Sequence, residues 1–267
     1  MRFLAISSIV AILGVVAPAS SASAQTHVYN LNGSYTDQNG AFALTSNGGT
    51  LFATNYAFGR NQGLSLSNVF TQPGYASGAY TIFIRAQLAD VQNQASTYGY
   101  TKVIDFKNLS SDDGLYTVGG VSTGAAPDFI ANGTENYTDL FPDVLQNNRY
   151  FVLALARSAS GAVDVFVDGT LISDLSFTDA TGAGLFSTPG TGIANFFIDD
   201  TSAGSDDGSY AGGNIDYLAT FSERLSDEAI RYHSEAVVAT PEPASMVLLA
   251  TGLVGIVGAA RRRKVSK

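Results

Sequence analysis

The sequence predicts an all-β domain, a sandwich or jelly roll of many short strands with one short helix near its end. Three observations carry this. Apolar residues recur with period two over short stretches between Thr26 and Phe221. Clusters of Gly, Asn and Asp punctuate them at turn spacing. One amphipathic segment with a helix-start signature stands out, close to residue 226.

In chain order, Ala79 to Leu88 is the first clear strand. Tyr80, Ile82, Ile84, Ala86 and Leu88 share one face, and Thr81, Arg85 and Gln87 share a wetter face with Phe83 between them. Tyr150 to Ala156 is a continuous apolar run of strand length. Val163, Val165 and Val167 alternate with Asp164 and Phe166, and Asp168-Gly169 is a tight hairpin turn from which Thr170-Leu171-Ile172 returns. Ile215, Tyr217, Ala219 and Phe221 form another alternating strand. Ser226 is a good N-cap for a helix reaching about Ala236, because its hydroxyl accepts an orphan backbone N–H while Asp227 and Glu228 suit the positive helix start.

The two ends read as processing segments. Arg2 precedes an apolar run from Phe3 to Ala17, and Pro18 then breaks the helix. Ala22 and Ala24 place small residues where signal peptidase cuts, so residues 1–24 are expected to leave as a signal peptide. At the other end Pro241, Glu242 and Pro243 form an extended, protease-accessible segment. An uncharged apolar stretch follows, read as a transmembrane helix over 244–260 and only marginally long enough to span. Arg261, Arg262, Arg263 and Lys264 then act as a stop signal held on the cytoplasmic side. These three parts, in this order over 240–267, resemble the PEP-CTERM sorting signal of Gram-negative, biofilm-forming bacteria. The resemblance implies an exosortase-type membrane protease as partner, a membrane-anchored intermediate, and delivery to the cell surface or extracellular matrix.

Between the ends, residues 25–239 are expected to form one domain. Arg2, Arg261, Arg262, Arg263, Lys264, Lys267 and Glu242 leave with the ends, so the domain keeps 8 basic against 22 acidic residues. Such a surface repels phosphate backbones and argues against nucleic acid as a partner. The chain has no cysteine, which excludes disulfides, thiolate metal sites and a cysteine nucleophile.

A second resemblance spans most of Asn30 to Ser234. RYFVLALARSASGAVDVFVDGTLISDLSF is similar to the central hairpin of LamG-like, concanavalin A-like jelly rolls, and GGNIDYLATFSERLSDEAI to their closing strand and helical turn. AYTIFIRAQL and KVIDFKNLSSDDGLYTVG match the early strands in character. The resemblance implies a jelly-roll β-sandwich. The sequence departs from it where Arg149-Tyr150-Phe151 replaces the usual aromatic pair.

A glycosidase on such a fold needs two carboxylates facing the scissile bond. Glu135, Glu223, Glu228 and Glu235 do not give the spacing, and Asp164, Asp168 and Asp216 read as strand and turn residues. His27 and His233 lie near opposite ends of the domain, and no Gly-x-Ser-x-Gly elbow occurs. No catalytic residue is therefore assigned. Asp199, Asp200, Asp206 and Asp207, on a Gly/Ser-rich stretch, are candidate Ca²⁺ ligands, with Asp112-Asp113-Gly114 able to approach from another loop; solvated acidic turns explain the same residues. Tyr75, Tyr80, Tyr98, Tyr100, Tyr116, Tyr137 and Tyr210 include candidates for a sugar-stacking platform or for core packing. The expected function is non-catalytic binding of extracellular polysaccharide or a surface protein. The alternatives are a jelly-roll carbohydrate-active enzyme and a purely structural matrix component.

Overall fold

The strand patterns pair into sheets in a computed structural model, which describes residues 27–40, 42–91, 99–119, 125–131, 134–135, 144–186, 192–199 and 211–239. The strands are β1 (His27–Asn30), β2 (Leu44–Asn47), β3 (Thr50–Leu51), β4 (Tyr56–Phe58), β5 (Gly63–Leu66), β6 (Tyr80–Leu88), β7 (Gly99–Asp105) and β8 (Gly114–Gly119). There follow β9 (Ala125–Ala131), β10 (Thr134–Glu135), β11 (Tyr150–Arg157), β12 (Ala162–Val167), β13 (Thr170–Leu171), β14 (Phe177–Thr178), β15 (Ala194–Phe196) and β16 (Gly213–Phe221). The helix α1 spans Asp227–Ala239, three residues beyond the expected end.

Among the described residues the strands form two antiparallel sheets. The first runs β13-β12-β11-β6-β16-β4-β3, with β1 also on β16 and β14 on β12; the second runs β10-β9-β8-β7-β15-β5-β2. This is the all-β, jelly-roll type of sandwich that the sequence and the LamG-like resemblance lead one to expect. Apolar faces of the two sheets meet in one core, to which β6 gives Tyr80, Ile82, Ile84, Ala86 and Leu88 and the second sheet gives Leu64, Leu66, Val103, Ile104, Leu115 and Phe196. The Asp168-Gly169 hairpin is also present. Both residues have positive φ, 49° and 78°, the geometry of a type I′ turn, and Val167 pairs with Thr170 across it.

The opposite face of β6 is drier than its alternation suggests. Helix α1 covers it, and a second apolar cluster forms from Val28, Phe83, Val152, Ala154, Phe166, Phe221, Leu225 and Ile230. Thr81 is wholly buried there. Its hydroxyl donates to the Glu223 carbonyl at 2.8 Å and accepts the Leu225 N–H at 2.9 Å, fixing the chain's entry into α1. Ser226 caps the helix as expected, accepting the Ala229 N–H at 3.2 Å. Strand β16 also departs from strict alternation. A bulge between Ile215 and Tyr217 shifts the register, so Ile215 and Leu218 face the inner core while Ala219 and Phe221 face the helix.

The segment expected to leave as a signal peptide, with Ala22 and Ala24, the apolar stretch 244–260, and the tail residues Pro241, Glu242, Pro243, Arg261, Arg262, Arg263 and Lys264 lie outside the described residues. Among the described residues no helix is long and apolar enough to cross a membrane.

His233 lies under α1, its ring centroid 4.2 Å from that of Phe83, and shares a 2.9 Å hydrogen bond with the Tyr217 hydroxyl. Burial pushes its pKa down from 6.5 to about 4. Below pH 6.5 the unfolded chain therefore takes up a proton that the folded chain refuses until about pH 4. Stability should fall through that window by up to about 3 kcal/mol and then level off. Urea midpoints across pH 4 to 7 test this, and His233→Gln should flatten the slope. Phe83→Ala should cost about 3–5 kcal/mol at neutral pH, read from the same titrations.

Candidate functional site

At one end of the sandwich, Arg157 closes β11 directly opposite Tyr80, the first residue of β6. A guanidinium so little exposed needs a carboxylate and further acceptors. Asp179, just beyond β14, supplies the first, receiving Nε at 3.0 Å. The Gly78 carbonyl accepts Nη1 at 2.7 Å. Asp179 is itself held by the backbone N–H groups of Ala183 at 2.8 Å and Gly184 at 3.1 Å. The Tyr80 hydroxyl donates to the Gly184 carbonyl at 2.6 Å, and burial pushes its pKa well up, so it stays protonated. Arg157 is thus locked in one orientation. Its Nη2 makes no hydrogen bond among the described residues, leaving that nitrogen's two donors for a ligand.

Beside this group lies a cleft of about 410 Å³ whose walls include Phe70, Tyr75, Tyr80, Arg157, Leu185 and Phe186. Phe70 and Phe186 stack with ring centroids 3.8 Å apart, and both are half-buried. Tyr75 meets Phe70 edge-on at 5.1 Å, and Phe106 backs Phe186 at 4.9 Å. The result is an aromatic wall next to a fixed cationic donor, an arrangement that can hold a ligand with one apolar face and a hydroxyl or carboxylate at its edge.

Of the tyrosines picked out by sequence, Tyr75 and Tyr80 come together here. Their hydroxyls point inward, that of Tyr75 to Thr220 Oγ1 at 2.7 Å. Tyr100 and Tyr116 pair edge-to-face at 6.0 Å on the other sheet. Tyr98, Tyr137 and Tyr210 lie outside the described residues. Sequence reasoning missed Phe70, Phe186 and Asp179, which sit in loops without periodicity. Arg157 follows directly on the apolar run Tyr150 to Ala156, and nothing local in the sequence marks its role.

The acidic stretch gives a different picture. Asp200, Asp206 and Asp207 lie outside the described residues. Asp199 faces the ammonium of Lys102, Oδ1 to Nζ 3.7 Å. Lys102 is wholly buried, 3.2 Å from Asp105 Oδ2, and it donates to the Ser111 carbonyl at 3.0 Å. The loop before Asp112-Asp113-Gly114 and the Asp199 segment therefore do converge, on a lysine. Among the described residues no three His, Asp or Glu side chains are grouped to hold a metal.

Several other carboxylates, and His27, hold the framework. Asp164 and Asp227 each accept Arg224 Nη2 at 2.7 Å, Asp216 pairs with Arg85, and Asp168 Oδ1 accepts the Val152 N–H at 2.8 Å. His27 Nδ1 is 2.6 Å from Asp37 Oδ2, where the carboxylate also accepts the Val28 N–H at 3.0 Å. The strand and turn roles expected of Asp164, Asp168 and Asp216 are the ones found.

Solved structures of similar fold are binding domains of botulinum neurotoxins. One is a type C toxin whose cell entry is dependent upon interaction with two ganglioside molecules (13% identity, TM-score 0.56, covering 81% of this chain and 51% of that one). Another is the binding domain of neurotoxin DC in complex with rat synaptotagmin II (13% identity, TM-score 0.54, 81% and 52%). A third is the receptor binding domain of a C/D mosaic serotype (14% identity, TM-score 0.53, 82% and 52%). The chain spans about half the length of each, and at these identities the likeness is one of fold. No curated protein matches the chain by sequence. The family model for the PEP-CTERM protein-sorting motif matches residues 239–264. The β-sandwich is therefore followed by a PEP-CTERM sorting motif, which implies exosortase-dependent export through a membrane-anchored intermediate.

Proposed function

We propose that the protein is an exported, non-catalytic binding module of the cell surface or extracellular matrix, and that it takes a glycan in the Arg157 cleft. The observation that carries this reading is the Phe70–Phe186 wall beside an immobilised guanidinium. A pyranose ring presents a C–H face suited to such a wall, and its hydroxyls or a uronate carboxylate suit the Nη2 donors. Neurotoxin domains of the same fold, with ganglioside or synaptotagmin as their ligands, lend support to binding as the role of the sandwich. The sorting motif supports a place outside the cytoplasm.

The matrix polysaccharides of the producing cell are the probe. Binding by the exported protein is expected, and Phe186→Ala should weaken it about tenfold, the loss of one stacking partner. Release of new reducing ends during incubation would replace this reading by an enzymatic one. Absence of binding to any matrix polymer would remove the glycan. Replacing Pro241, Glu242 and Pro243 together by Ala should leave the chain unprocessed in the membrane fraction, as followed by immunoblot.

A further inference from the structure

The cluster around Lys102 has the composition of a reaction centre. Strand β7 pairs with β8 in register from Gly99 to Lys102, and then shifts between Lys102 and Ile104. In a regular strand, residues three apart point to opposite faces; the extra residue of a bulge puts them on the same face. Lys102 and Asp105 thereby come together, both side chains wholly enclosed, with Nζ 3.2 Å from Oδ2. Gly114 lies opposite Asp105 and makes room, since a Cβ there would stand 2.8 Å from Lys102 Cε and 2.7 Å from the Ile104 carbonyl.

The third member arrives from the neighbouring strand. β15 pairs with β7 through Asn195–Asp105 and Phe196–Ile104, and the Phe197 N–H continues the contact to the Val103 carbonyl at 3.2 Å. Asp199 is thus delivered beside Lys102, with Oδ1 3.7 Å from Nζ, while its own N–H donates to Asn61 Oδ1 at 3.2 Å. Asp105 is anchored through Oδ1, which accepts the Leu109 N–H at 2.8 Å and Asn195 Nδ2 at 3.2 Å. Its Oδ2 is buried and directed at Lys102 without a well-formed hydrogen bond. Tyr116 closes the pocket, its ring centroid 5.3 Å from Nζ.

We propose that Lys102 and Asp199 join in an intramolecular amide, with Asp105 as the proton carrier. Asp105 takes a proton from the Lys102 ammonium and frees the nitrogen lone pair. The Nζ–Cγ bond to Asp199 forms, and one Cγ–O bond of Asp199 breaks. That oxygen leaves as water with two protons, both originally on the ammonium and relayed by Asp105, which ends as the carboxylate it began as. An ammonium and a carboxylate become a neutral amide and one water, with no outside reagent. Three things favour the step: the reactants are held together, bulk water is excluded, and the product relieves a buried ion pair of its desolvation cost. The amide would staple β15 to β7 in a chain that has no cysteine to do so.

Mass spectrometry of the full-length chain tests this. The folded and then denatured protein should weigh one water less than its sequence, about 18 Da. Trypsin should fail to cut after Lys102, giving a branched peptide that contains Asp199. Asp105→Asn should slow the loss of water on the order of a hundredfold, the usual contribution of a positioned acid–base group, and Lys102→Met should abolish the branched peptide. An unshifted mass with normal cleavage after Lys102 would overturn the proposal. So would a dehydrated but linear peptide, the mark of a succinimide at an Asp-Gly pair, or a loss of ammonia (about 17 Da), which would make Asn195 the partner.

Discussion

Strand β6 is apolar along its inner face and carries Phe83 on the other, and the architecture follows from having to cover both. Ile82, Ile84 and Leu88 require a second sheet on one side; Phe83 requires α1 on the other. A central strand buried twice cannot tolerate an unpaired backbone, which is why β11 and β16 flank it along nearly its whole length. The three-layer order of sheet, sheet and helix is the consequence. Arg157 owes its position to the same strand, since its register with Tyr80 places it at the rim where the inner core ends.

The domain is strongly acidic, yet two of its eight cations are withdrawn from the surface. Arg157 and Lys102 are enclosed, each against carboxylates that are enclosed as well. Buried pairs of this kind contribute little net stability but fix geometry, because removing either partner strands the other without solvent. In one case the fixed geometry presents a donor to a cleft; in the other it aligns an amine with an acid.

Much of this was legible in the chain. The inner face of β6, the β11–β12 hairpin, the Asp168-Gly169 turn and the Ser226 cap are local patterns, and local patterns report themselves. The sorting tail was legible for the same reason, its three parts being contiguous. Phe83 was not, because one apolar residue on a polar face does not announce the helix that will cover it. The bulges at Lys102/Ile104 and Ile215/Tyr217 break the period on which strand reading depends. The first of them places Asp105 on the face of Lys102, where Asp199 also arrives. The cleft was half legible: Tyr75 and Tyr80 were marked as aromatic candidates, whereas Phe70, Asp179 and Phe186 meet only through tertiary structure.

Helix α1 ends at Ala239, and the sorting motif begins at that same residue. A pull on the chain beyond α1 would be borne first by the helix's seat on β6, β11 and β16, with Ile230 and His233 as its footing. Peeling that helix would bare the Phe83 face before it disturbed either the inter-sheet core or the Arg157 cleft. Under such a load the outer layer would give way while the Arg157 end keeps its shape.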